Sequence, residues 1–218
     1  MGAETVIEAW LSRFKRRRKA GEMDAQEAQP DRAAALGALG EALVAGALRD
    51  MRWPVLRNVV LRERGRSTEI DVIARAPGAL VVLEVKTWSG FIQGAAQTPS
   101  WTRHGRGHEA VAMPNGVAQN RAHVAAVERA IGDREVPVWG LVVSAGHARF
   151  APALRAHVVP AAALAGVLRD GARGDHGDLE KIDRAWAVLG REATRSPERQ
   201  AGHIAWLRSR VLGANLRK

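Results

Sequence analysis

Thr68-Glu69-Ile70-Asp71-Val72-Ile73-Ala74-Arg75, then Ala76-Pro77-Gly78, then Leu80-Val81-Val82-Leu83-Glu84-Val85-Lys86-Thr87 is the stretch on which the reading of this chain turns. Two short apolar runs flank a strong turn signal, which predicts two neighbouring antiparallel strands. Both runs carry charge, and a buried strand tolerates charge only when it has a partner. Asp71 lies inside the first run, and Glu84 and Lys86 lie at the end of the second. Residues two apart on a strand share a face. Glu84 and Lys86 therefore point with Val82, while Val81, Leu83 and Val85 point into a packed layer. Pairing through the turn brings Asp71 and Glu84 close across the two strands. Two carboxylates at that range repel unless a cation lies between them. An oxygen-only donor set suits Mg2+ or Mn2+.

Working outward, Val55 to Arg62 reads as a preceding strand, with Pro54 before it and a turn over 63–66. Upstream, Asp31 can cap a helix reaching Asp50, with Leu36, Leu39, Leu43 and Leu48 on its apolar side. Gly37, Gly40 and Gly46 weaken that helix and suit close packing against a neighbour. Downstream, residues 88–114 read as a long loop carrying Trp88, Trp101, His104 and His108. Asn115 caps a helix that reaches Ile131, and Val138 to Ser144 reads as a buried strand. The intervening helix lets that strand run parallel to Leu80–Thr87, giving a mixed sheet. The last third is mostly helical. Asp178 precedes Leu179, Ile182, Trp186 and Leu189, and Ser196-Pro197-Glu198 opens a helix with Ile204, Leu207 and Val211 that stops at Gly213. The expected fold is α/β (α+β), a mixed sheet flanked by helices with a helical C-terminal extension. The expected divisions are an arm and linker over 1–30, a core domain over 31–150 and the extension over 151–218.

Cysteine is absent, which excludes disulfide scaffolds and thiolate chemistry, so any metal must take oxygen or imidazole ligands. The formal charge of +10 favours a polyanionic partner. Arg13, Lys15, Arg16, Arg17, Arg18 and Lys19 concentrate it, and without those six the surplus is +4. Val6, Ile7, Trp10, Leu11 and Phe14 precede them at helical spacing. Residues 5–19 therefore suit an anionic membrane surface, DNA phosphates, or an ordinary helix with a solvated basic end. No secretory signal or membrane-spanning run is visible, so a cytoplasmic location is expected.

The chemistry that fits is phosphodiester hydrolysis, in which negative charge builds on the phosphate and the leaving oxygen. Asp71 and Glu84 would be the principal metal ligands, and the Val85 carbonyl a third oxygen. Lys86 would position or activate the water, or hold the phosphate. Glu41 sits mid-helix among Gly37, Val44 and Leu48, where a carboxylate needs a partner. It is the expected fourth member. Asn115, Gln119 and His123 recur every four residues. They are read either as a stripe contacting the scissile phosphate, or as a cap and two exposed polar residues. Trp88 and Trp101 are the aromatic candidates for stacking on nucleic acid, whereas Trp53 and Trp139 suit the core. His104 and His108 read as loop histidines because Gly105 and Gly107 disfavour a helix.

The ordered set Gly37-Ala38-Leu39-Gly40-Glu41, Glu69-Ile70-Asp71-Val72, Val82 to Gly90, Trp101, Asn115 and Gln119 resembles the nuclease-related domain, NERD, of the broad PD-(D/E)XK nuclease-like group. The resemblance covers residues 37 to 145. It implies a restriction-endonuclease-like core and a metal-dependent nuclease with Glu41, Asp71, Glu84 and Lys86 in the active site and Gln119 as accessory. Three positions depart from the pattern. Val72 stands where a histidine often follows the aspartate, Gly116 where a proline often follows the asparagine, and Glu69 where a glutamine often precedes Ile-Asp. None is a presumed ligand. DNA is the expected substrate, and a homodimer is compatible because related folds pair to cut two strands. The competing readings are a non-cutting nucleic-acid-binding module on the same scaffold, and a membrane-surface or partner-docking protein acting through the arm.

Overall fold

The Ala76-Pro77-Gly78 turn closes as its composition requires, with the Ala76 N–H donating to Ala79 O at 2.9 Å. The computed structural model describes residues 28–63, 66–105, 109–172, 177–197 and 199. Arg16, Arg17, Arg18 and the whole 5–19 segment lie outside the described residues, as do His108 and the stripe Ile204, Leu207 and Val211. The strands on either side of the turn are β2 (Arg66–Arg75) and β3 (Leu80–Lys86), preceded by α1 (Ala28–Asp50) and β1 (Val55–Glu63). After them come β4 (Phe91–Gln93), β5 (Ser100–His104), β6 (Ala110–Pro114), α2 (Gly116–Ile131), β7 (Val138–Ser144) and β8 (Arg149–Phe150). The chain continues through α3 (Pro152–Arg155), β9 (Val158–Pro160), a 3-10 turn (Ala161–Ala163), α4 (Leu164–Gly171) and α5 (Leu179–Thr194).

The main sheet has the order β1-β2-β3-β7-β9. Its first two pairings are antiparallel and its last two parallel, so it is the mixed sheet expected from the helix between β3 and β7. β3 runs through the centre with its first six residues buried, which is why it reads as a continuous apolar run rather than an alternating one. On one face, Val44 and Leu48 of α1 and Leu164 and Leu168 of α4 pack against Val72, Ala74, Val81, Leu83 and Val85. On the other, Val127 of α2 and Ile182, Ala185 and Leu189 of α5 pack against Ile73, Leu80 and Val82. The open edge of β1 is covered by side chains beyond α5. Ser196 Oγ accepts from the Val60 N–H at 2.8 Å, and Arg199 Nη1 donates to Val60 O at 3.0 Å.

Residues 88–114 are not one long loop. They hold β4, β5 and β6, which form a second sheet of order β6-β5-β4-β8. These strands are three to five residues long, and β4 is completed by a parallel partner, β8, drawn from residues 149–150. Neither property shows in local periodicity. Trp53 is buried as expected. α1 ends in a Schellman motif, in which Trp53 N donates to Leu48 O and Arg52 N to Arg49 O, while Leu48 and Trp53 share a core cluster. Among the described residues no helix is long and apolar enough to cross a membrane.

Candidate active site

β3 pairs with β7 along all seven residues, from Leu80↔Val138 to Lys86↔Ser144. With β2 it pairs over four only, ending at Val72↔Leu83. One step further Asp71 stands in register with Glu84, but the backbone ladder has stopped. The Asp71 side chain takes over, and its Oδ2 accepts from the Val85 N–H at 2.8 Å. β1 is disturbed at the same level. Asn58, in register with Asp71 between the pairs Arg57↔Val72 and Val59↔Ile70, has φ +52°. Packing shows the consequence, because Leu56 and Val59, three apart, both meet the α2–α5 side, and so do Ile70 and Ile73. Regular strands place residues three apart on opposite faces. The two strands therefore turn over together at Asn58 and Asp71, and the acid sits in the fault.

Glu84, with 0% exposure, faces α2. Its Oε1 lies 2.5 Å from Lys86 Nζ and its Oε2 lies 2.9 Å from His123 Nδ1. Both contacts are short but poorly directed, so neither Glu84 oxygen nor His123 Nδ1 has an aligned hydrogen-bond partner. Burial works to raise the Glu84 pKa, but His123 and Lys86 together outweigh it and hold the carboxyl below its ordinary value. Asp71 goes the other way. Burial first, and then the Glu84 charge, push it up to about 6 against the pull of the Val85 N–H and Lys86. The two neighbouring carboxyls are thus shifted in opposite directions, Glu84 down and Asp71 up.

Glu41 comes from α1. A Cβ on Gly40 would sit 2.8 Å from Thr87 Cγ2 and 3.1 Å from Ala145 Cβ, so only glycine lets the helix lie this close to the end of β3. Gly37 and Gly46 have no such neighbours. Glu41 Oε2 accepts from Arg57 Nη2 at 3.3 Å. Burial raises its pKa, Arg57 opposes that, and the charges of Glu69 and Glu84 add to the rise. Glu41, Asp71, Glu84 and Lys86 therefore share one electrostatic neighbourhood at the C-terminal end of β3. Of the four, Glu84 and Lys86 form an ion pair. Val85 contributes its N–H, bound to Asp71, as the group observed at the fault.

Three residues expected to touch nucleic acid do something else. Trp101, 1% exposed, is core, and its indole N–H donates to Ala95 O at 2.9 Å, so no base can stack on it. Asn115 is buried and its amide is fully used. Oδ1 accepts from the N–H groups of Val117 and Ala118, and Nδ2 donates to Ala96 O and Thr98 O. His123 is buried against Glu84 rather than displayed. A signal for that was present, since Val127, four residues on along the same helix face, is core. Gln119 lies one turn before His123 on that face and is half-buried. Trp88 is half-buried, edge-on to Trp101 at 5.5 Å and to Phe150 at 5.8 Å.

Among the described residues no three acidic or imidazole side chains stand close enough together to hold a metal ion. In donor type the site does fit a hard divalent cation. Two buried carboxylate oxygens of Glu84 lack aligned donors, and a second carboxylate lies across the strands. The Lys86 ammonium is the positive charge that compensates Glu84 in this arrangement.

Residues 36–145, about half of the chain, match the family model of the nuclease-related domain, NERD. No curated protein matches the chain.

Proposed function

The chain belongs to the NERD, or nuclease-related domain, family, and on that premise we propose that it is a divalent-metal-dependent nuclease hydrolysing phosphodiester bonds, with DNA as its substrate. The observation that carries this reading is the pairing of Glu84 and Asp71 at the end of a broken ladder. One is buried, ionised and without aligned donors, and the other is pushed up to about 6 beside it. A fold does not set a half-buried carboxyl beside a fully buried one at a strand break for stability, because each raises the cost of charging the other.

Asp71 and Glu84 are the residues that would hold Mg2+ or Mn2+, with Glu41 brought to the same neighbourhood by the close approach at Gly40. When bound there, the ion supplies charge neutralisation at the phosphate and a lower pKa for the attacking water. The protein's own groups do the rest. Lys86 Nζ, partly exposed beside Glu84, holds the water or a phosphate oxygen at the mouth of the site. His123 keeps the Glu84 carboxylate oriented from behind, and Gln119 extends the same helix face toward the substrate. Arg57 compensates Glu41 until substrate or ion arrives.

The test is direct. Purified full-length protein should cut plasmid and single-stranded DNA with Mg2+ or Mn2+ and not in EDTA, and Asp71→Asn and Glu84→Gln should remove cutting while remaining folded. Cutting by either variant at the wild-type rate would overturn the assignment. A second reading, binding without cutting, has one observation in its favour, the absence of a three-ligand cluster among the described residues. It requires DNA binding that is unchanged by Mg2+ and no cutting under any metal.

A further inference from the structure

The second sheet has two unlike faces. Ile92, Trp101 and Phe150 point inward into a core cluster with Val117 and Val142. The other face carries no acidic residue in any of its four strands. Arg149, Phe91 and His104 lie side by side across it, through the pairs Phe91↔Arg149 and Phe91↔His104. Gln93 and Thr102 form the next row, and β6 adds only alanine methyls and the Pro114 ring. The Phe91 and His104 rings sit 6.0 Å apart with planes tilted by 35°. His104 is fixed by a 3.1 Å contact from Nε2 to Gln93 Oε1. Phe91 remains 36% exposed and Arg149 is exposed.

This composition matches one kind of partner. Unpaired bases offer flat apolar faces for stacking on aromatic rings, while their backbone demands cations. A duplex hides its base faces and gains little from a phenyl ring on a flat sheet. An acidic peptide would match Arg149 but leave the paired rings without purpose. The position also matters. β4 begins five residues after Lys86, Ala145 N donates to Lys86 O, and Arg149 N donates to Gly90 O, so the ends of β3 and β7 run directly into β4 and β8.

We propose that the outer face of the four-stranded sheet is a platform for single-stranded nucleic acid, with bases stacked on Phe91 and His104 and a phosphate held by Arg149. It leads the strand to the Glu84–Lys86 end of β3. Only that last clause rests on the nuclease reading.

The test uses full-length protein in EDTA, where nothing is cut, and the fluorescence anisotropy of a labelled 20-nucleotide single strand and of the matching blunt duplex. The single strand should bind more tightly than the duplex. Phe91→Ala and His104→Ala should each weaken single-strand binding by roughly 5- to 100-fold, the range for loss of one stacked base, and change duplex binding less than twofold. Phe91→Trp should restore it. Arg149→Ala should lower the slope of log affinity against log salt by about 0.7. A single strand carrying 5-iododeoxyuridine, cross-linked by light and mapped by mass spectrometry, should mark Phe91 or His104. Duplex preference, wild-type affinity in both ring variants, or cross-links confined to other segments would overturn the platform. Wild-type protein that binds in this way but never cuts with Mg2+ or Mn2+ removes the nuclease reading and leaves the platform standing. Metal-dependent cutting of single strands unchanged by Phe91→Ala does the reverse.

Discussion

β3 meets its two neighbours on different terms. Toward β7 it keeps a complete parallel ladder of seven residues, and toward β2 the ladder ends after four. The complete side is where the sheet is built. Gly140 lets α2 lie close, and Asn120 Nδ2 donates to Val82 O at 3.3 Å. The broken side is where charge is placed. There a carboxylate replaces backbone as the partner of the Val85 N–H, a left-handed Asn58 faces it, and Glu84 lies at the same level. A regular ladder satisfies its own backbone groups and leaves none to direct a side chain. Stopping the ladder frees an N–H that can orient an acid. Positioning and chemistry are thus divided between the two edges of one strand.

The sharpest way to break this comparison is to remove charge on the broken side without removing shape. Asp71→Asn and Glu84→Gln should each lower metal-dependent cutting by at least about 100-fold, the scale for removing one electrostatic group from a transition state. His123→Ala, which takes away support behind Glu84 rather than Glu84 itself, should cost about 10- to 100-fold in activity or metal affinity. Single-turnover cutting across a range of Mg2+ concentrations separates the two. Loss that high metal restores belongs to His123, and loss that it does not restore belongs to Asp71 and Glu84. Wild-type activity in His123→Ala would mean that His123 has no part in the site.

The same carboxyl makes a stability prediction whose sign is fixed by its shift. The Asp71 pKa in the folded protein, about 6, lies above its ordinary value of 3.8. Between those values the folded state binds more protons than the unfolded state, so stability falls as pH rises. Below about pH 4 both states are protonated and the penalty is absent, and above about pH 6 it is complete. Asp71→Asn can keep an oxygen for the Val85 N–H while losing the charge. In EDTA it should therefore be more stable than wild type by about 3 kcal/mol at most at pH 7–8, and equal to it near pH 4. Glu84, held low, has the opposite sign, because its contribution is present above the ordinary carboxylate range and is lost on acidification. Thermal melts from pH 4 to 8 measure the Asp71 effect, and melts carried below pH 4 measure that of Glu84. A gain for Asp71→Asn that is constant with pH would show that the ionised carboxyl carries no penalty in the fault.

The complete side was the more legible of the two. Leu80 to Leu83 is an apolar run between turn signals, and a strand buried on both faces must look that way. Glu84, Lys86 and Asp71 stood out because they contradict their surroundings, and Glu41 for the same reason. The fault itself was hidden. Ile70, Val72 and Ile73 are all apolar, so a change of face between Ile70 and Ile73 leaves the pattern unaltered. β4, β5 and β6 were hidden because β4 takes its second partner from residues 149–150, and pairing distant in sequence leaves no local trace. Asn115 is the helix cap its position suggests, whereas Trp101 and His123, unusual by residue type, face inward rather than outward. Residue type shows that a polar or aromatic group needs a partner. It does not show whether that partner is substrate or another part of the protein.

A change on the complete side should reverse the outcome seen on the broken one. A Cβ on Gly140 would sit 2.8 Å from Val124 Cγ2 and 3.0 Å from Asn120 Nδ2. Gly140→Ala should therefore destabilise by about 1–3 kcal/mol, as overpacked sites do, and lower the melting temperature by several degrees. Cutting per folded molecule should stay within tenfold of wild type. Activity lost in step with Asp71→Asn, without loss of stability, would erase the division between the two edges.

The smallest expected effect isolates backbone strain from position. Among the described residues two non-glycines have positive φ, Arg52 at 60° and Asn58 at 52°. Arg52 terminates α1 in the slot where helices favour glycine, and a side chain there costs about 1 kcal/mol or slightly more. Arg52→Gly should raise stability by up to about 1 kcal/mol and leave cutting unchanged, since the helix end carries no site residue. Asn58 tolerates the left-handed region because its short amide can bond locally, so Asn58→Gly relieves little strain. It does loosen the turnover point opposite Asp71, so stability should move by less than about 0.5 kcal/mol while cutting falls. If the two glycine variants behave alike in both assays, the positive φ at Asn58 is ordinary backbone economy. If they diverge as stated, that residue holds Asp71 at its station beside Glu84.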